Sequence, residues 1–142
     1  MTPYAGRCLC GAVHYQIDAE PLVARICWCR TCQKIAGNGT ANALFPAAAI
    51  TVTGDLACYV STADSGNQIS RHFCPACGSH LFASSSANAL FRVVRIGTLD
   101  DPSAVPPQLN IWTGSAPNWA CLDPALRAEV GQPPPPAVSG PR

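Results

Sequence analysis

Apolar and polar residues alternate with a period of two along much of this chain. Over Gly11-Ala12-Val13-His14-Tyr15-Gln16-Ile17, Val13, Tyr15 and Ile17 fall on one face and His14 and Gln16 on the other, the signature of a half-buried strand. Leu22 to Ile26 reads as a second strand running into Cys27. Arg30 to Ala36 reads as a short helix stopped by Gly37-Asn38-Gly39. Further strands are expected at Thr40 to Phe45, Ile50 to Thr53, Ala57 to Ser61, Gln68 to Phe73, His80 to Ala83, Phe91 to Ile96 and Gln108 to Trp112. The turn-formers Gly54-Asp55, Asp64-Ser65-Gly66-Asn67, Ser84 to Asn88 and Asp100-Asp101-Pro102 separate them. Many short strands with one or two short helices predict a mainly β domain of antiparallel sheets.

The chain has 142 residues, the size of one domain. We expect a single domain over residues 1–130, followed by a proline-rich tail, 131–142, that lacks large apolar side chains and is disordered or polyproline II. Nine basic and eight acidic residues leave a net charge of +1, and Lys34 is the only lysine, so the basic surface that nucleic-acid binding requires is missing. The longest apolar runs, such as Ala41 to Val52, are interrupted and shorter than the ~20 residues of a membrane helix. No apolar leader is evident at the N-terminus, so the expected compartment is the reducing cytoplasm.

That expectation changes how the nine cysteines are read, because in a reducing compartment closely spaced thiols hold metal or do chemistry more often than they pair. Seven fall in three clusters: Cys8-Leu9-Cys10-Gly11, Cys27-Trp28-Cys29-Arg30-Thr31-Cys32 and Cys74-Pro75-Ala76-Cys77-Gly78. The first and third both end in glycine, which supplies the positive φ of a tight metal knuckle. Pairing them gives a closed four-thiolate site, Cys8, Cys10, Cys74 and Cys77, of the structural zinc type. The middle cluster offers three thiolates within six residues, the three-plus-one pattern of catalytic zinc. Its fourth position is either open or closed by a group from elsewhere, such as Cys58, Cys121 or a histidine. Two zinc ions per chain are therefore expected.

Arg25, Arg30 and Lys34 are close enough in sequence to offset the charge of the middle cluster or to meet an anionic ligand. Cys58 and Cys121 read as small core residues, His72 and His80 as surface groups or neighbours of the metal sites, and His14 as solvated. Trp28, between two ligands, must point away from the metal and is expected as an exposed aromatic wall. Trp112 and Trp119 either line a pocket over the open zinc or fill core, and Asn38 and Gln33 are weaker polar contacts for a substrate.

Gly6-Arg7-Cys8-Leu9-Cys10-Gly11-Ala12-Val13-His14-Tyr15, Cys27-x-Cys29-x-x-Cys32 and Phe73-Cys74-Pro75-Ala76-Cys77-Gly78-Ser79-His80-Leu81-Phe82 together resemble the glutathione-dependent formaldehyde-activating enzyme family, also called the centromere protein V family. Gly97 to Pro102 and Ile111 to Trp119 look like further blocks of that family in matching order. The resemblance implies a β-tent fold of stacked small sheets, with Cys8, Cys10, Cys74 and Cys77 on a structural zinc and Cys27, Cys29 and Cys32 on a functional one. It implies a carbon-sulfur lyase that acts on a thiol, glutathione or similar, and a small aldehyde such as formaldehyde, or on their S-hydroxymethyl adduct. The rival from another class is a non-catalytic zinc module with the same fold that binds a protein partner.

Overall fold

A computed structural model describes residues 3–136. Eleven strands and one α-helix follow one another as β1 (Tyr4–Arg7), β2 (His14–Ile17), β3 (Val23–Cys27), α1 (Arg30–Ala36), β4 (Thr40–Pro46), β5 (Ile50–Thr53), β6 (Ala57–Thr62), β7 (Gln68–Phe73), β8 (His80–Ser85), β9 (Asn88–Arg95), β10 (Leu109–Ile111) and β11 (Arg127–Ala128). Four single turns of 3-10 helix complete the ordered elements. The chain is mainly β, as its alternation predicts.

Two sheets form, a three-stranded one in the order β1-β2-β5 and an eight-stranded one in the order β11-β10-β3-β4-β9-β8-β7-β6. The pairings are mainly antiparallel, as expected, and at one end β10 runs parallel to both β3 and β11. These parallel neighbours lie far apart in sequence, so no hairpin dictates their direction. The strands β1 and β11 were not expected. They are short, and β1 carries Gly6 while β11 is fully exposed, so neither shows the alternation that marks β2.

The core lies between the sheets. Val13, Tyr15 and Ile17 are buried while His14 and Gln16 face solvent. The buried face of β2 meets Phe45, Phe82 and Val94 from the larger sheet and Ile96 from the 3-10 turn after β9. Tyr15 packs edge-to-face on Phe82 at 5.0 Å and shares a hydrogen bond with the Thr98 hydroxyl at 2.7 Å, so its buried oxygen is satisfied. A second, smaller apolar cluster of Leu109, Ile111 and Val23 surrounds Cys27 and Cys32 on the other face of the large sheet.

The expected boundary at residue 130 is crossed by contacts. Trp112 N–H donates to the Gly131 carbonyl at 3.2 Å, Trp112 Nε1 donates to Gln132 Oε1 at 2.9 Å, and Pro133 is buried. Residues 137–142 of the tail lie outside the described residues. Cys58 is exposed, against expectation, because β6 is the edge strand of the large sheet and Cys58, Tyr59 and Val60 in its middle are all open to solvent.

Candidate metal centres

The turn after β1 and the turn after β7 are two knuckles of like construction. In the first, Gly11 N–H donates to the Cys8 carbonyl at 3.2 Å, and in the second Gly78 N–H donates to the Cys74 carbonyl at 2.8 Å. Gly11 and Gly78 take φ of 82° and 78°, a left-handed backbone that side chains disfavour, which is why glycine closes each knuckle. Ser79 ties the two together: its hydroxyl accepts Leu9 N–H at 3.0 Å and lies 3.2 Å from Cys77 Sγ. Cys8, Cys10, Cys74 and Cys77 thereby converge, with all four sulfurs within 4.8 Å of one another.

The Cys8–Cys10 and Cys10–Cys74 sulfur separations are 3.6 and 3.8 Å. A tetrahedron with zinc–sulfur bonds of about 2.3 Å has edges of about 3.8 Å, so these donors fit a four-thiolate zinc. The Ser79 hydroxyl and its backbone N–H hold the Cys77 thiol down to about 5, favouring the thiolate that a metal requires. Cys8 and Cys74 are buried in the main core.

The second group stands where β3 meets α1. Cys27 is the last residue of β3, Cys29 is the N-cap of α1, and Cys32 lies in its first turn. Cys29 Sγ accepts the Cys32 N–H at 3.3 Å, so the helix start holds two of the sulfurs in place. All three sulfurs lie within 4.8 Å of one another, and among the described residues no histidine, further cysteine or carboxylate joins them. Cys58 and Cys121 are exposed. Without a cation the three thiols cannot all ionise. Contact with Cys27 and Cys32 lowers Cys29, whereas its neighbours Cys29 and Cys32, together with burial, raise Cys27. A divalent metal resolves that conflict, and the donor set suits zinc.

The tryptophans separate. Trp112 packs against the three-cysteine cluster and has φ 56° and ψ 37°, a left-handed backbone rare for a bulky residue. Trp28 does point away from the cysteines but is not an exposed wall. It is buried, with Nε1 donating to Asn110 Oδ1 at 3.0 Å. Trp28 and the exposed Trp119 line a cavity of about 370 Å³ with Ile26, Asn38, Ala41 and Cys121. Ile26 pairs with Ala41 across β4 and Cys27 with Thr40, so by alternation this cavity opens on the sheet face opposite the cysteines.

Gln33 is structural: Nε2 donates to the Trp28 carbonyl at 2.6 Å and the Ser115 carbonyl at 3.0 Å, while Oε1 accepts from Arg30. Arg30 is thereby turned toward Gln33, and Lys34 is exposed in the last turn. Of the three expected cations, Arg25 is the one whose charge acts on Cys27 and Cys32. Arg95, which sequence reasoning missed, does the same from β9 and is buried. Nothing local marks it; the clue is that β3, β4 and β9 are neighbours.

His80 stacks on Phe73 at 5.2 Å, and its Nδ1 is buried without a partner. Burial, then the charges of Arg95 and Arg71, hold it below the ordinary histidine value of 6.5. The unfolded chain therefore binds the proton more readily, so this contribution to stability is present above about pH 6.5 and is lost as pH falls through the interval below it. His80→Phe keeps the stacking and is expected to shrink the loss of melting temperature between about pH 7.5 and 5.5, as read by circular dichroism.

The family model for the glutathione-dependent formaldehyde-activating enzyme matches residues 3–115, a span that holds both cysteine groups. The chain belongs to that family. Among solved structures, a Rhodobacter sphaeroides protein is similar, with a TM-score of 0.56 at 24% identity, covering 70% of this chain and 93% of that one. At that identity the likeness speaks for the fold alone. A comparison with curated proteins finds no significant match. Family membership supports a function connected with glutathione and formaldehyde and a small-molecule thiol or aldehyde as substrate.

Proposed function

We propose that this chain is a zinc-dependent carbon-sulfur lyase-like enzyme that joins a thiol, glutathione or similar, to a small aldehyde such as formaldehyde, or cleaves their S-hydroxymethyl adduct, at Cys27, Cys29 and Cys32. The observation that carries this reading is the convergence of three thiols with no fourth protein donor among the described residues. Zinc held there supplies, when bound, a Lewis acid that lowers the pKa of an incoming thiol and polarises a small carbonyl. The second ion belongs to Cys8, Cys10, Cys74 and Cys77, whose four donors leave no position for substrate.

The chain's own residues shape the rest. Leu109, Ile111 and Trp112 pack an apolar wall against the cluster. Arg25 and Arg95 set positive charge beside it, which favours the anionic form of a thiol. The sulfur adds to the aldehyde carbon, the new C–S bond forms as the C=O π bond breaks, and the carbonyl oxygen takes up a proton. Cleavage is the reverse. Closely spaced thiolates that hold zinc suit a reducing cytoplasmic setting, and no helix of the described residues is long and apolar enough to cross a membrane.

Exchange NMR on glutathione and formaldehyde tests the reading. The zinc-loaded protein is expected to accelerate formation of the S-hydroxymethyl adduct beyond its spontaneous rate. No acceleration with glutathione or any of a panel of small thiols would contradict it and favour the non-catalytic zinc module.

A further inference from the structure

Arginine is always charged, and a buried charge without an opposite partner is costly. Among the described residues the carboxylate ion pairs are Arg7–Asp100 and Arg127–Glu129, both at the surface. Arg95 takes part in neither, although it is only 7% exposed. Its Nη1 donates to the neutral Asn42 Oδ1 at 2.5 Å, and its Nε is buried without a partner. No aspartate or glutamate occurs in β3, β4 or β9, so the surrounding strands offer it no carboxylate.

The sheet register shows what it faces instead. Arg25, Asn42 and Arg95 lie side by side across β3, β4 and β9. Cys27, two residues beyond Arg25, shares their face, so Arg95 and the cysteine cluster lie on one side of the sheet, where the charges of Cys32 and Cys27 act on the guanidinium. Three thiolates on a divalent zinc carry a net charge of roughly −1, which one buried guanidinium neutralises. Arg25, half-buried on the same face, and Arg71, buried on β7 and acting on Arg95, leave a surplus of positive charge that favours an anionic fourth ligand.

We propose that Arg95, oriented by Asn42, is the counter-ion of the Cys27, Cys29 and Cys32 centre, a positioning residue that makes the centre hold zinc and accept a thiolate in preference to neutral water. The inference rests on the reading of these cysteines as an open metal site, and its test separates the two. Zinc affinity of the second site is measured by chelator competition with the four-cysteine site left loaded. Thiolate entry is measured on cobalt(II)-loaded protein by visible absorption during titration with 2-mercaptoethanol.

R95Q is expected to weaken both constants by about tenfold or more, because the thiolates lose a buried opposite charge, while R95K retains most of each. N42D, nearly isosteric, gives Arg95 a competing carboxylate and is expected to act like R95Q, so the question stays answerable if R95Q does not fold. Wild-type constants in R95Q or N42D, or an R95K protein as impaired as R95Q, would overturn the proposal. Weakened zinc binding in R95Q, with no spectral response to thiol in wild type, would keep Arg95 as counter-ion to the zinc centre but overturn thiolate acceptance, and with it the proposed thiol chemistry.

Discussion

Replacing Cys74 with serine, or stripping the protein with a strong chelator, is expected to unfold the chain at room temperature. Cys74 is fully buried, and with Cys8 it is part of the main core. Cys8 follows β1 of the small sheet and Cys74 follows β7 of the large one, so a metal between them fastens the two sheets face to face. The loop closed between Cys10 and Cys74 spans 64 residues, which raises the entropy that the free chain regains when the link is broken. Structural zinc can contribute on the order of 10 kcal/mol to folding, about as much as the whole net stability of a domain this size. Far-ultraviolet circular dichroism checks this directly: loss of the β signal on chelation, with recovery on adding zinc, is the expected result. A folded, cooperatively melting protein without metal would contradict it.

Cys29→Ser is expected to have the opposite profile, abolishing acceleration of adduct formation while leaving the fold intact. Serine caps a helix at least as well as cysteine, so α1 keeps the side-chain acceptor that Cys29 offers to the Cys32 N–H. The apolar cluster around the site is small and lies away from the main core, so little packing depends on this sulfur. The metal loses one of three donors, and the rate is expected to fall by at least about a hundredfold, in the range seen when a group that stabilises the transition state is removed. Rates and melting curves of Cys29→Ser and Cys77→Ser, measured side by side, decide the matter. If both unfold alike, both metals are structural.

Much of this was legible in the chain itself because it was written locally. The alternation at Val13, Tyr15 and Ile17, the left-handed glycine that ends α1, and the Cys-x-x-Cys-Gly and Cys-x-Cys-Gly spacings each depend on neighbours in sequence, and the structure shows each in place. What stayed hidden depends on distant pairing. The parallel placement of β10 against β3 brings Ile111 beside Cys27 and Asn110 within reach of Trp28, and this is why Trp28 is buried rather than exposed. The edge position of β6 exposes Cys58 although its neighbours in sequence are apolar. Arg95 shares a sheet face with Cys27 only because β4 stands between β3 and β9.

The central claim is that the chain carries two separable metal sites, one that holds the fold and one that stays open for chemistry. Elemental analysis of fully loaded protein, set against a variant with Cys27, Cys29 and Cys32 all changed to serine, tests it most directly. The account predicts about two zinc ions per chain falling to about one, with the fold retained. One zinc in both proteins would contradict it, leaving the three cysteines without a metal.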